Sequence, residues 1–317
     1  MNLYFMNPEV TFGNKMLELL YIIIGLICIY AGVKNLKDDE NPNKFGTFVF
    51  WTALGIATAC AQYLPSLVEG IVIVICIIPA ILKKVTPGKE SAPSKEETAM
   101  NFQNIGMKLF IPALCMGIFA LIFGLAKPLG MSALVGTGFG VLVAIVLLMI
   151  WNKKNTPKVF LDDSERFLSI VGPLSLLPTL LAILGAVFTS AGVGTVIASL
   201  VSIIIPQGNV TIGIIVFALG MMLFTMIMGN AFAAITVMTV GIGAPFVLQY
   251  VKNPALIGML ALTCGYCGTL LTPMAANFNI VPVAILEMKD RMGVIKKQII
   301  PALIMIVFQI IWMILHA

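Results

Sequence analysis

The residues of this chain best suited to bind a small ligand lie in two short polar interruptions of an otherwise apolar region. Residues 167–286 contain a single charged side chain, Lys252. The first interruption is centred on Gly229-Asn230, and the second runs from Gly265 to Asn279. Their amide and hydroxyl side chains are neutral donors and acceptors that can bind a carboxylate or a monovalent cation. The pattern therefore predicts a binding site for a small ion or organic anion.

The first interruption indicates a turn between two helices. It falls midway through a stretch of 40 mostly apolar residues, 211–250. A helix of that length would extend about 60 Å, roughly twice the thickness of the hydrocarbon core of a bilayer. Gly229 permits a turn, and Asn230 can cap the helix that follows. We expect a helical hairpin here, either full-length or re-entrant, with a plain interhelical turn as the alternative.

The second interruption predicts a broken helix. Pro273 removes a backbone N–H and clashes with the preceding turn, and unwound backbone inside a membrane needs protein, water or a ligand to satisfy it. The alternative is a proline kink whose asparagines join neighbouring helices. The residues predicted to bind substrate or ion, from both interruptions, are Gly229, Asn230, Thr236, Gly268, Thr269, Thr272, Pro273, Asn277 and Asn279.

Glu69 is the only acidic residue well inside an early apolar segment. An acid in a membrane segment is a candidate for coupling transport to a proton or cation. Glu69 also follows Pro65 closely, near the predicted outer interface, where water could solvate it. Both interpretations stay open from the sequence: a coupling residue, or a solvated interfacial acid.

The composition predicts an all-α polytopic membrane protein. The chain has 317 residues, of which 60% are apolar and only 10% are charged. This excludes a soluble enzyme, a disulfide scaffold, a disordered chain and a nucleic-acid binder, because a soluble domain carries roughly a quarter charged residues. We expect the bilayer to be the solvent and about ten segments to cross it. They are Met16–Val33, Phe45–Tyr63, Leu64–Leu82, Leu109–Ala126, Gly130–Trp151, Phe167–Ser190, Thr211–Met228, Ala231–Tyr250, Ala255–Leu271 and Ile299–Leu315.

The polar segment 83–108 predicts three parts in the chain. These are an N-terminal three-span unit at 1–82, a cytoplasmic linker at 83–108 and a transport unit at 109–317. If the N-terminus lies outside, the inner loops carry sixteen Lys and Arg residues and the outer segments carry three. This bias predicts that both termini lie outside. Residues 193–205 are apolar but short, which favours an interfacial or re-entrant helix.

The sequence lacks the motifs of common membrane enzymes. No phosphate-binding loop for ATP, no HExxH and no GxSxG occurs. We therefore expect no enzymatic activity and no cofactor, although a bound Na⁺ is compatible with the predicted site. Cys264 and Cys267 have the spacing of a redox pair, which leaves an intramembrane thiol enzyme as the least favoured alternative.

Both interruptions also carry the resemblance to a known family. The stretch from Phe224 to Ala234 and the stretch from Gly265 to Pro282 resemble its signatures, as do Asn41-Pro42 and the residues from Gly293 to Lys296. The chain resembles the larger membrane subunit of the proposed bacterial 5-oxoproline (pyroglutamate) transporter, a family long known as a domain of unknown function.

This resemblance implies a multi-pass protein of the bacterial inner membrane that works with a smaller membrane subunit encoded nearby. It implies a secondary transporter for a small organic anion such as 5-oxoproline, coupled to Na⁺ or H⁺. It also implies a fold similar to ion-transporter-type carriers, in which hairpins and broken helices form the site. The competing hypothesis is a non-transporting scaffold or assembly partner of the second subunit.

Overall fold

The computed structural model describes residues 4–88, 93–127, 130–203, 205 and 209–317. Within these ranges the regular elements are helices, as the sequence predicts. Seven of the described helical segments are long and apolar enough to cross a membrane. They are Phe12–Leu36, Glu96–Ala126, Ala133–Trp151, Pro157–Ser190, Val210–Met228, Ala231–Leu248 and Gly293–Leu315. The all-α, multi-pass character is therefore confirmed, while the number of ten crossings stays a prediction.

Two compact units divide the chain, residues 1–172 and 173–317. The predicted three-part division had its break in the polar segment 83–108, whereas the compact units divide after Gly172. In the first unit, the helices are α1 (Phe12–Leu36), α2 (Lys44–Cys60), α3 (Ser66–Ile81), α4 (Lys95–Ile105), α5 (Phe110–Ala126), α6 (Ala133–Trp151) and α7 (Pro157–Val171).

The first unit extends to Gly172 because α7 packs on α1 through polar contacts. The Lys34 ammonium lies 2.6 Å from Asp162, and the Asn35 amide donates to Glu165 over 2.8 Å. Part of the predicted linker also belongs to this unit, since the backbone N–H of Gly88 donates to the Ser169 hydroxyl. The rest of that linker contains α4, which Ser94 caps. Residues 89–92 lie outside the described residues.

The described helices of the second unit are interrupted at three places. They are α8 (Leu177–Ser190), α9 (Val193–Val201), α10 (Val210–Met228), α11 (Ala231–Met238), α12 (Pro254–Leu270), α13 (Ala276–Ile285) and α14 (Gly293–Leu315), with a π-helix at Thr239–Leu248 after α11. The interruptions lie between α8 and α9, between α10 and α11 and between α12 and α13. Its core is apolar and contains Phe217, Met221 and Ile257, which are fully buried. Residues 193–201 form the short helix α9, and residues 204 and 206–208 lie outside the described residues.

Candidate functional site

Gly229 and Asn230 form the predicted turn between α10 and α11. Gly229 ends α10 with a left-handed backbone at φ 69°, a conformation that glycine adopts without a steric penalty. The Asn230 side chain caps α11 by accepting hydrogen bonds from the N–H groups of Phe232 and Ala233. The N-terminus of α11 is therefore already satisfied by Asn230, which limits its capacity to hold a substrate anion.

The second break separates α12 from α13 over residues 271–275. A continuous helix would pair the carbonyl of Thr269 with the N–H of residue 273, but Pro273 has none. Asn279 replaces that bond, because its amide nitrogen donates to the carbonyl oxygens of Thr269 and Thr272, each over 2.7 Å. Asn279 is fully buried, and its Oδ1 atom has no hydrogen-bond partner among the described residues. Asn279 thus satisfies carbonyl groups on both sides of the turn that precedes Pro273.

The two breaks lie against each other. The Thr272 hydroxyl donates to the carbonyl oxygen of Met226, in the last turn of α10, over 2.8 Å. This carbonyl is one of the four that a helix C-terminus leaves unpaired. A Cβ atom added to Gly229 would lie 2.6 Å from the carbonyl oxygen of Met274, so only glycine fits this approach. We refer to Thr269, Thr272 and Asn279, with the carbonyl groups they satisfy, as the amide cluster.

A cavity of about 140 Å³ opens where the two breaks meet. Asn230 and Thr269 face it from the first break and from α12, and Asn277 faces it from the first turn of α13. The Asn277 side chain has no hydrogen bond within the part of the chain that the structure describes. The residue that precedes α13 provides no side-chain cap, so this helix N-terminus is the more open of the two.

A larger pocket of about 480 Å³ lies on the other side of Asn230. Thr236 lines it, and its hydroxyl lies 3.3 Å from the hydroxyl of Thr189 on α8. Asn230 and Phe232 line both spaces. None of the residues that line them is charged. They are Leu181, Ala182, Gly185, Ala186, Thr189, Ser190, Gly229, Asn230, Ala231, Phe232, Ala233, Thr236, Tyr266, Thr269, Met274, Asn277 and Phe278.

The structure assigns the predicted site residues to different positions. Those that line the two pockets are Gly229, Asn230, Thr236, Thr269 and Asn277. Thr272 and Asn279 hold the break in place, and Pro273 causes it. Gly268 allows close packing, because a Cβ atom there would collide with the Met222 carbonyl of α10. Glu69 lies half-buried in the first turn of α3, in the first unit.

A second buried polar cluster lies in the first unit and was not predicted from the sequence. Glu165 is only 1% exposed, and its Oε1 atom accepts hydrogen bonds from the Asn35 amide and, over 2.6 Å, from the Ser169 hydroxyl. Its Oε2 atom has no hydrogen bond in the described chain, but the Lys34 ammonium lies 3.8 Å away. Asn41 extends the network by donating to Asn35. We call this set the carboxylate cluster.

The carboxylate cluster adjoins a pocket of about 460 Å³ that contains both signs of charge. Asp39, at its rim, pairs with Lys44 over 2.7 Å, and this hydrogen bond holds the pKa of the Asp39 carboxyl below its usual range. The only sequence signal for this cluster was an amphipathic pattern in 157–171, a segment dense in charge that is typical of a solvated helix. The contact with Asn35 spans 130 residues, which no local pattern predicts.

Cys264 and Cys267, which have the spacing of a redox pair, are buried and form no disulfide. The Cys267 thiol points towards the Gln309 side chain, with the sulfur 3.8 Å from Oε1. Within the described ranges, no group of three or more His, Cys, Asp or Glu side chains is placed to hold a metal ion. The geometry of the described residues therefore offers no metal-ligand set to support the thiol-enzyme hypothesis.

Residues 18–317 match the family described as "Protein of unknown function (DUF979)". No curated protein and no solved structure matches the chain. Because the family match covers nearly the whole sequence, the chain belongs to this family.

Proposed function

We propose that this member of the DUF979 family is the larger subunit of a secondary transporter for a small organic anion. 5-Oxoproline is the first substrate to test, and Na⁺ or H⁺ is the coupling ion. The proposal includes about ten membrane crossings in the bacterial inner membrane and a smaller membrane subunit as partner. It extends the sequence resemblance, and the geometry of the second unit supports it.

The observation that carries the proposal is the neutral cavity between the two helix breaks. Backbone groups freed inside a membrane protein must be satisfied, and transporters use such groups to bind ions and substrates. Here Asn277 presents an unengaged amide at an uncapped helix N-terminus, which favours a carboxylate ligand. The absence of charged lining residues leaves the charge of the bound anion to be balanced by a co-transported cation.

The amide cluster supplies a candidate position for that cation. The Oδ1 atom of Asn279 is buried and accepts no hydrogen bond from the described residues. Side-chain and carbonyl oxygens of this kind coordinate Na⁺ at the broken helices of transporters. We therefore assign substrate binding to the α13 N-terminus and cation binding to the interior of the same break. The larger pocket beside Asn230 would then provide the route or the volume for the organic part of the anion.

Uptake into proteoliposomes tests the proposal directly. The chain and its smaller membrane subunit are reconstituted together, and uptake of labelled 5-oxoproline is measured under a Na⁺ gradient, a proton gradient or neither. We expect one gradient to drive accumulation, and Asn277→Ala to reduce the initial rate at least about tenfold at unchanged protein abundance, as loss of a ligand contact would. Absence of uptake under every gradient would exclude 5-oxoproline as the substrate. Normal uptake by Asn277→Ala would exclude the proposed binding site.

The scaffold hypothesis stays as the second candidate because several polar residues of the break serve packing. Thr272, Asn279 and Gly268 all make structural contacts within the second unit. This hypothesis expects the smaller subunit to transport alone, and variants of the break to lower abundance rather than the rate per molecule. Measuring uptake by the smaller subunit alone separates the two functions.

A further inference from the structure

A polar pocket in the first unit has the chemistry of a site for a phosphate-containing headgroup. It has a volume of about 400 Å³ and lies where the end of α4 and the turn before α5 meet the end of α6. Its lining combines two lysines, three asparagines, a tryptophan and an isoleucine: Asn101, Asn104, Ile105, Lys108, Trp151, Asn152 and Lys154. None of the seven is acidic, in contrast to the mixed-charge pocket beside Glu165.

The two lysines of this pocket lack acidic partners. Neither the Lys108 nor the Lys154 ammonium forms an ion pair or hydrogen bond with the described residues, although other lysines of the same unit, Lys34 and Lys44, do. The amides of Asn101 and Asn104 are likewise unengaged within the described chain. The pocket therefore presents two positive charges and several N–H donors to whatever occupies it.

The position of the pocket in the membrane narrows the choice of ligand. The helices α5 and α6 contain no charged residue and form an antiparallel pair, and the pocket lies at the end opposite their connection at 127–132. Trp151, the last residue of α6, is the residue type that concentrates at the membrane interface. The sequence predicts that this end faces the cytoplasm, where anionic lipids bind basic pockets between membrane helices.

We propose that this pocket binds the headgroup of an anionic phospholipid. The lysines Lys108 and Lys154 contact the phosphate groups, and the asparagine amides donate to its remaining oxygens. Exposed apolar residues below the pocket, Phe110 and Ile150, accompany the acyl chains. The site is separate from the cavity between the helix breaks and does not depend on the transport proposal.

Lipid binding by the full-length chain tests this proposal. The chain is purified in detergent, and native mass spectrometry compares the retention of cardiolipin and phosphatidylglycerol with that of phosphatidylcholine. We expect the double variant Lys108→Gln/Lys154→Gln to reduce binding of the anionic lipids about tenfold or more, because each lysine near a headgroup contributes separately. Lys108→Arg/Lys154→Arg, which keeps both charges, should retain binding.

The matched control is Lys83→Gln/Lys153→Gln, which removes two lysines from the same predicted side without touching the pocket. An equal loss in this control would reduce the effect to general surface charge and overturn the proposal. Displacement of the lipid by millimolar inorganic phosphate would instead identify a site for a free anion, and unchanged lipid retention in Lys108→Gln/Lys154→Gln would remove the site altogether.

Discussion

The two units of this protein satisfy their buried polar groups in opposite ways. The carboxylate cluster of the first unit contains a buried acid that accepts two hydrogen bonds and has an ammonium nearby. The amide cluster of the second unit contains no charge, and its central side chain satisfies carbonyl groups that the chain itself leaves unpaired. The acid of the first cluster therefore has a counter-charge within the protein, whereas the second cluster contains no charged group.

This difference separates a structural role from a binding role. A buried acid that already has hydrogen-bond partners stabilises the packing of the helices that carry those partners. Exchanging these partners for a ligand would leave buried polar groups unsatisfied. A neutral break with an unengaged amide and a buried acceptor oxygen can take up a charged ligand without first breaking an ion pair. We therefore expect variants of the carboxylate cluster to change stability alone. Around the amide cluster, we expect some variants to change stability and others to change transport.

Buried cysteines allow each unit to be followed on its own. Cys28 and Cys76 are buried in the first unit, and Cys264 and Cys267 are buried in the second. A thiol-reactive fluorescent dye labels such cysteines only when the surrounding structure opens. Two background proteins, each retaining one pair with the other four cysteines changed to alanine, thus report the melting of the two units separately.

The largest effect is expected from Glu165→Ala. Removing the carboxylate leaves Ser169 without its acceptor and the Asn35 amide with the Ala31 carbonyl alone. It also leaves the region around Lys34 with less negative charge. Each of the two hydrogen bonds to this charged group is worth about 1.5–3 kcal/mol. Thermal labelling should shift to lower temperature at Cys28 and Cys76. Glu165→Gln, which keeps an acceptor oxygen and the size of the side chain, should lose less than half as much; equal losses in the two variants would show that the negative charge, and not the acceptor oxygen or the packing, matters there.

Asn279→Ala should have the next largest effect. The carbonyl groups of Thr269 and Thr272 would lose their donor in a buried position, at a cost of about 1–3 kcal/mol for each unsatisfied group. The labelling of Cys264 and Cys267 should shift, while that of Cys28 and Cys76 stays nearer to the parent protein. An equal shift at both pairs would contradict the separation of the two clusters.

The sequence predicted the position of both helix breaks because their causes are local. Gly229, Asn230 and Pro273 act on the backbone of their own segment, so their types alone indicate a turn or an unwound stretch. The sequence could not distinguish Asn277 from Asn279, since the same side chain is two residues apart in the same break. Only the fold shows that one satisfies carbonyl groups and the other faces the cavity.

The carboxylate cluster was missed for a different physical reason. Its members come from α1, the loop after it and α7, and they meet only after the helices pack. Asp162, Glu165 and Arg166 are typical of a solvated helix when the segment is considered alone. The same long-range contacts make α7 part of the first compact unit, which ends at Gly172. Local rules therefore described the second unit better than the first.

A smaller effect on stability is expected from Gly229→Ala. The left-handed backbone at this position costs a non-glycine residue about 1–2 kcal/mol, and the added Cβ atom would press on the Met274 carbonyl oxygen. Gly258→Ala is the matched control in α12, because a Cβ atom there would have no neighbour within 4 Å. The control should be neutral or stabilising by up to about 1 kcal/mol. A Gly229→Ala protein as stable as the parent would show that the two breaks can separate freely.

The smallest effect on stability, and the sharpest on function, is expected from a pair of threonines in α12. The hydroxyls of Thr263 and Thr269 each donate to the carbonyl oxygen three residues earlier over 2.7 Å, but only Thr269 lines the cavity between the breaks. Replacing either by valine removes the same local hydrogen bond and should change stability by less than about 1 kcal/mol. In proteoliposomes, Thr269→Val should raise the substrate or cation concentration needed for half-maximal uptake several-fold, whereas Thr263→Val should leave it unchanged. Because the two variants remove the same local bond on one helix, equal uptake by both would show that the cavity takes no part in binding.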